Sequence, residues 1–173
     1  LGVDHTRELW KLSQQGADYV RATAGDLAGA ALETTGALEV SNVDLGERLI
    51  GRLHMLGGNF GARVEGWPVE RVRAALKTPR YFQGIHYPDA FHIDPRNYLE
   101  GLAVLARSNG VRIFEESPVV SFEASGIRKR IATASARLRA AHIVLAGNVH
   151  LGVPSPRLTA TLLPVCRYAA VTE

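Results

Sequence analysis

Arg137-Leu-Arg-Ala-Ala-His-Ile-Val-Leu-Ala-Gly-Asn148 is the stretch from which the fold is read. A polar, turn-prone lead feeds the apolar run Ile143 to Ala146, which halts at Gly147-Asn148. A short continuous apolar run closed by Gly reads as a strand buried on both faces. The closing Gly lets a second backbone, or a ligand, approach closely. Open α/β sheets bind ligands just beyond the carboxyl ends of their strands. Ala146, Gly147 and Asn148 are therefore the first candidates for contact with a cofactor.

Working outward, the segments before this stretch alternate short strands with helices. Val111 to Glu115, Val119 to Phe122, Ile127 to Ala134 and Ala136 to Ala140 read as strands, with Ser125-Gly126 as a turn. Asp94-Pro95 is a capping residue followed by Pro at the first helical position, and Asn109-Gly110 stops the helix so begun. Further back, Arg80 to Phe91 reads as two short strands or an irregular loop. Trp67-Pro68 opens a short helix whose inner face is Val69, Val72 and Leu76. Asp44 is expected to cap a helix with the stripe Leu45, Leu49, Leu53 and Leu56, closed by Gly57, Gly58 and Gly61. Gly36 to Val43 alternates as a strand with one covered face. Asp4 or Thr6 is expected to cap a first helix with Leu9, Leu12, Ala17, Val20 and Leu27 on its stripe, ending near Gly25. Leu162 to Thr172 alternates weakly, as in a long strand. Pro154 and Pro156 mark a crossing between subdomains.

The bulk numbers describe an ordinary globular chain of 173 residues, 46% hydrophobic and 21% charged. Mean hydropathy is −0.01, and no apolar run approaches the ~20 residues of a membrane span. No signal peptide is visible in Leu1 to Arg7. The chain opens on Leu1 in place of Met and stops at Val171-Thr172-Glu173, which reads as a fragment. The single cysteine, Cys166, excludes an internal disulfide framework, and Leu163-Pro164-Val165 beside it suggests a small buried hydrophobe. A cytoplasmic setting is expected.

Net charge is +3, and five basic residues cluster at Arg128, Lys129, Arg130, Arg137 and Arg139. The cluster lacks interleaved aromatics of the kind that bind single strands, so an exposed hairpin accounts for it and no nucleic-acid partner is expected. His86 and His92 flank Asp89, but no further ligands converge there, and no metal is expected. Gly57-Gly58-Asn59-Phe60-Gly61 follows a helix in place of a strand, so it reads as a helix stop and not as a phosphate cradle. No carboxylate pair or nucleophile motif stands out, and no catalytic residue is assigned.

The order of motifs carries a resemblance. Gly36-x-Leu38-x-Val40 is followed by Tyr81-x-x-Gly84, then by Ile93-Asp94-Pro95-x-x-Tyr98-x-x-Gly101-Leu102-Ala103. Gly110-Val111-x-Ile113-x-Glu115-x-x-x-Val119 comes next, and then Val144 to Asn148. The set resembles the middle of FAD-dependent amine and amino-acid oxidoreductases of the D-amino-acid oxidase superfamily, nearest to the gamma-glutamylputrescine oxidoreductase branch. The resemblance implies a mixed α+β and α/β chain, in which a mainly antiparallel substrate-domain sheet with flanking helices interleaves with the later strands of a Rossmann-like FAD domain. Residues 1–94 would be mostly substrate domain with a leading helix, 95–152 part of the FAD domain, and 153–173 a return to the substrate-domain sheet.

By the same resemblance Val119 would meet the adenine edge through its main chain, and Leu145-Ala146-Gly147 would pass the phosphate and ribityl region. The implied reaction is oxidation of an amine or amino acid by hydride transfer to FAD, which needs little side-chain acid–base work. The superfamily's Gly-x-Gly-x-x-Gly turn is absent, so the 173 residues alone are expected to be inactive and to bind FAD poorly. The alternative is a non-enzymatic α+β binding module that lacks the cofactor. The amine, the electron acceptor and the oligomeric state are not legible.

Overall fold

The computed structural model describes residues 2–27, 29, 30, 32–151 and 155–166. They form two compact units, Leu1–Arg112 and Ile113–Glu173. Every strand ladder in the two three-stranded sheets is antiparallel.

The first unit opens with helix α1, Val3–Asp26. Neither expected residue caps it by side chain. Gly2 is the N-cap, Thr6 Oγ1 donates to the Gly2 carbonyl, and Asp4 pairs with Arg7 instead. The helix continues through Gly16 and Gly25. The expected stripe holds in part: Ala17, Val20 and Leu27 are half-buried, but Leu9 and Leu12 are exposed at 53% and 63%, and Trp10, Arg21 and Ala24 lie on the covered side. Leucine count misleads here because an aromatic and the aliphatic stem of an arginine cover a neighbouring element as well as leucine does.

Strand β1, Ala37–Val40, alternates outward and inward as its sequence predicts, with Val43 beyond its end and exposed. Helix α2 is Gly46–His54 and continues as one π-helical turn through Met55–Asn59. Its N-cap is Leu45. Asp44 Oδ1 accepts from the Gly46 N–H, a turn bond in place of the expected cap. The leucine stripe is as read: Leu49 and Leu56 are buried with Ile85, and Leu45 and Leu53 pack against them with Trp10, Ala62, Val64 and Tyr87. Burying one such side chain stabilises by ~1.5–3 kcal/mol.

Strand β2, Glu65–Trp67, is not evident in the sequence; Pro68 behind it is the N-cap of helix α3, Val69–Leu76. Val72 of this helix is fully buried, whereas Leu76 is 42% exposed. Strand β3, Gly84–Tyr87, is a single strand at the centre of the β1-β3-β2 sheet. Gly84 has a packing reason: a Cβ there would sit 2.7 Å from the Glu39 carbonyl of β1. Helix α4, Pro95–Ser108, starts as expected, with Asp94 accepting from the Arg96 and Asn97 N–H groups. It stops at Asn109, and Gly110 follows at φ +81°. Gly101 on this helix leaves room for the Leu27 side chain, which lies 3.1–3.3 Å from where a Cβ would be.

The second unit is a meander. Strands β4, Val119–Glu123, β5, Lys129–Thr133, and β6, Arg137–Ala140, pair in chain order. Two expected strands do not form. Residues 111–115 are irregular, with Ile113 and Phe114 exposed at 39% and 62%. Ile143 to Ala146 is also irregular, and Val144 is 88% exposed. A strand buried on both faces needs hydrogen-bonded neighbours and two covering layers. Neither segment is a strand of the two sheets. Pro156 heads the short helix α5, Pro156–Thr159. Residues 162–166 are irregular, and Cys166 is exposed, which corrects the expectation of a buried thiol. Pro154 and the rest of the expected last strand, 167–172, lie outside the described residues.

Candidate functional site

The sequence candidates lie in the second unit, and three of the four share one cleft. The β4–β5 register shifts between Val119 and Ser121, at the start of β4. Past β6 the chain crosses irregularly through Ile143 to Ala146. A cleft of about 600 Å³ is lined by Pro118, Val119, Phe122 and Ile131 on the sheet side and by Ala146 and Gly147 on the other. Val119, Ala146 and Gly147 are thus brought together although they come from chain segments some 27 residues apart, as their numbers show (146 − 119).

Asn148 does not line the cleft; it starts a single 3-10 turn, Asn148–His150, with φ +48°. Asn tolerates the left-handed region better than most residues. Gly147 itself has φ −84°, so its role is space: a Cβ would lie 3.0 Å from Leu151 Cδ2. The close approach expected at this Gly therefore exists, but it is made by the Leu151 side chain.

The cleft's chemistry is one-sided. Its walls are aliphatic and aromatic, with His150 as the titratable side chain among them. Apolar walls of this kind accept a flat heteroaromatic ring, whose edge is then read by main-chain N–H and C=O groups. No Arg or Lys lines the cleft among the described residues, and helix α5, further along the chain, has only four residues. This lining supplies an apolar slot for a flat ring and no cationic side chain for a diphosphate, which asks for a helix amino terminus or a cluster of N–H donors.

Other residues singled out in the sequence fall elsewhere. His86 Nδ1 lies 3.3 Å from Glu65, and His92 Nε2 lies 3.0 Å from Glu33. Among the described residues no three His, Cys, Asp or Glu side chains gather as a metal site. The basic cluster occupies β5, β6 and the turn before them, with Arg130 opposite Arg139, Arg130 3.5 Å from Glu123, and Lys129 Nζ donating to the Gly126 carbonyl. No described helix is long and apolar enough to cross a membrane.

Sequence reasoning missed a second cleft, of about 840 Å³, in the first unit. One wall is the face of α1 bearing Arg7, Lys11, Gln14, Asp18 and Arg21. The 4-3-4-3 spacing of these residues is a visible signal for a single helix face, but a search for apolar periodicity passes over it.

The electrostatics of the first unit centre on Arg52, which donates to both carboxylate oxygens of Glu39, while Tyr87 Oη donates to Glu39 Oε2 at 3.0 Å. The Arg52 hydrogen bond holds the Glu39 carboxyl below its ordinary range. Burial, and then the bond to Glu39, push the Tyr87 phenol up. These three side chains join β1, α2 and β3.

Comparison with known proteins gives the family and the fold. Among curated proteins, the probable oxidoreductase OrdL of Haemophilus influenzae is 28% identical over 120 residues, which is 66% of this chain and 28% of the relative. Among solved structures, glycine oxidase from Geobacillus kaustophilus superposes with TM-score 0.65 at 14% identity, covering 86% of this chain and 40% of that one. L-proline dehydrogenase from P.horikoshii gives 0.66 at 16%, covering 92% and 41%. The open form of NikD, an amino acid oxidase, gives 0.67 at 20%, covering 87% and 40%. At these identities the structural likeness speaks to the fold. The chain spans about two fifths of the solved chains and a smaller share of the curated relative. The family model described as FAD dependent oxidoreductase matches residues 2–173, and the chain belongs to that family.

Proposed function

We propose that this chain serves in a flavin-dependent oxidoreductase that oxidises an amine or amino acid, and that residues 95–152 form part of its FAD-binding domain, flanked by substrate-domain residues 1–94 and 153–173. The observation that carries the reading is the convergence of Val119, Ala146 and Gly147 on one apolar cleft in a chain of the FAD dependent oxidoreductase family. When bound, FAD supplies the acceptor for a hydride leaving the carbon that bears the amine.

The residues here have a narrower task. Val119 offers its main chain to the adenine edge, with Phe122 and Ile131 closing the apolar wall. Ala146 and Gly147 let the opposite wall approach without side-chain bulk, and the turn that begins at Asn148 brings His150 and Leu151 to the same cleft. Val119, Ala146 and Gly147 move no proton, which suits oxidation of a neutral amine. The named relatives include a glycine oxidase and an L-proline dehydrogenase, and a small amine or amino acid is the substrate class we assign.

The test is a FAD titration followed by flavin fluorescence, on the 173 residues and on a product spanning the length of the relatives. Weak binding by the 173 residues and stoichiometric binding by the longer product are expected, because the diphosphate donors are not in this cleft. Stoichiometric binding by the 173 residues alone would overturn the assignment of the cleft to the adenine end only.

A further inference from the structure

The cleft of the first unit carries chemistry that the flavin reading does not use. Its walls bring the basic residues Arg7, Lys11, Arg21 and Arg63 together with the carboxylates Asp18 and Asp89. The carboxylates are taken. Asp18 pairs with Arg21 at 2.7 Å, and Asp89 pairs with Arg63 at 2.9 Å. Arg21 also donates to the Asp89 carbonyl at 2.9 Å and lies 4.6 Å from the centre of the Phe91 ring. Arg7 donates to Asp4 and to the Asn59 carbonyl.

On the α1 wall two polar side chains are left over. Lys11 and Gln14, one helical step apart on α1, take no hydrogen bond or ion pair from any neighbour among the described residues. At that spacing an ammonium and a side-chain amide converge on one point. Beside them Trp10 and Phe60 form a tilted aromatic pair with ring centres 5.4 Å apart. Trp10 packs against the core of the unit, so this wall is anchored and presents one side to the cleft.

We propose that this cleft binds a small organic carboxylate with a flat apolar body. Lys11 Nζ and the Gln14 amide hold the carboxylate, and Trp10 and Phe60 receive the body. A cation is excluded by the surplus of basic groups over free carboxylates. A bare inorganic anion would leave the aromatic wall unused. The inference concerns the first unit alone and is independent of the assignment of Val119 and Ala146 in the second.

The chain has two tryptophans, so Trp67→Phe leaves Trp10 as the only indole reporter, and the cleft of the second unit contains none. Titration of that variant with 4-nitrobenzoate is expected to quench Trp10 to saturation. Neutral 4-nitrobenzamide should bind about threefold or more weakly, the scale of a solvent-facing ion pair. Lys11→Ala should abolish that preference, and Gln14→Leu should reduce it. Equal quenching by the two probes, or an unchanged preference in Lys11→Ala, would overturn the proposal. Calorimetry of the same two probes on the unaltered protein and on Lys11→Ala measures the same preference without relying on Trp67→Phe.

Discussion

The two units are both built around three antiparallel strands, yet they solve the burial problem differently. In the first, a central strand flanked on both edges is covered by α2, and Leu49, Leu56 and Ile85 meet as a closed core. Ala24, Ala30 and Val72 are also buried there. In the second, no described hydrophobic residue is buried, and Val119, Val120, Val144 and Leu145 are 39–88% exposed. Three strands alone present an apolar face that another layer must cover. The contrast teaches that secondary structure does not by itself make a core; the layer over the sheet does.

The sharpest way to break the comparison is a matched pair of truncations. Ile85→Ala should destabilise the first unit by about 3 kcal/mol, the scale for emptying a fully packed site. Val144→Ala should change stability by less than ~0.5 kcal/mol, as for an exposed position. Both are read by chemical denaturation, with Trp10 and Trp67 fluorescence for the first unit and far-ultraviolet circular dichroism for the whole chain. A comparable loss from Val144→Ala would mean that the second unit has a core of its own.

A smaller effect is expected at the start of α4. Asp94→Ala removes the acceptor of two N–H groups and should cost ~1 kcal/mol. Hydrogen exchange should then rise at the Arg96 and Asn97 amides and leave β4 to β6 unchanged, which keeps the comparison intact.

The smallest effect concerns pH. Glu39 has its folded carboxyl pKa lowered, first by the Arg52 hydrogen bond. A depressed carboxyl pKa gives stability that is full above the unfolded value and is lost as pH falls through the folded one. Stability of the first unit should therefore decline as pH drops below the ordinary glutamate value of 4.5. The Glu39 side chain is 48% exposed, so screening holds the contribution under ~1 kcal/mol. Glu39→Gln should flatten that part of the pH–stability curve; an identical curve would show that Arg52 and Tyr87 add nothing through Glu39.

Legibility in the sequence follows locality. Both ends of α4 are legible because Asp94-Pro95 and Asn109-Gly110 act within a turn of their own positions. The stripe of α2 and the alternation of β1 are legible because each needs only one covered face, a pattern the sequence repeats. Strand β2 is not, because Glu65-Gly66-Trp67 is too short to show alternation and becomes a strand only by pairing with β3. The helical state of α1 is legible, and its covered face in part: Ala17 and Val20 lie on it, but Trp10 and Arg21 do the covering in place of Leu9 and Leu12. At the candidate site, a buried-strand pattern and a family resemblance single out Val119, Ala146 and Gly147. They do line one cleft, although Ile143 to Ala146 forms no strand and Asn148 stands outside.

By itself, then, the amino-acid order determined what acts over a few residues: the cap and the stop of α4, the leucine stripe of α2, the turn at Gly126 and the ordered motifs that carry the family resemblance. Tertiary structure alone decided what depends on a second segment: whether an apolar run finds a ladder partner, which face of α1 is covered, and which separated residues share a cleft. The physical reason is that a cap or a turn is satisfied by its own neighbours in the chain. A buried strand or a binding wall needs hydrogen-bond partners and a covering layer that only folding brings beside it.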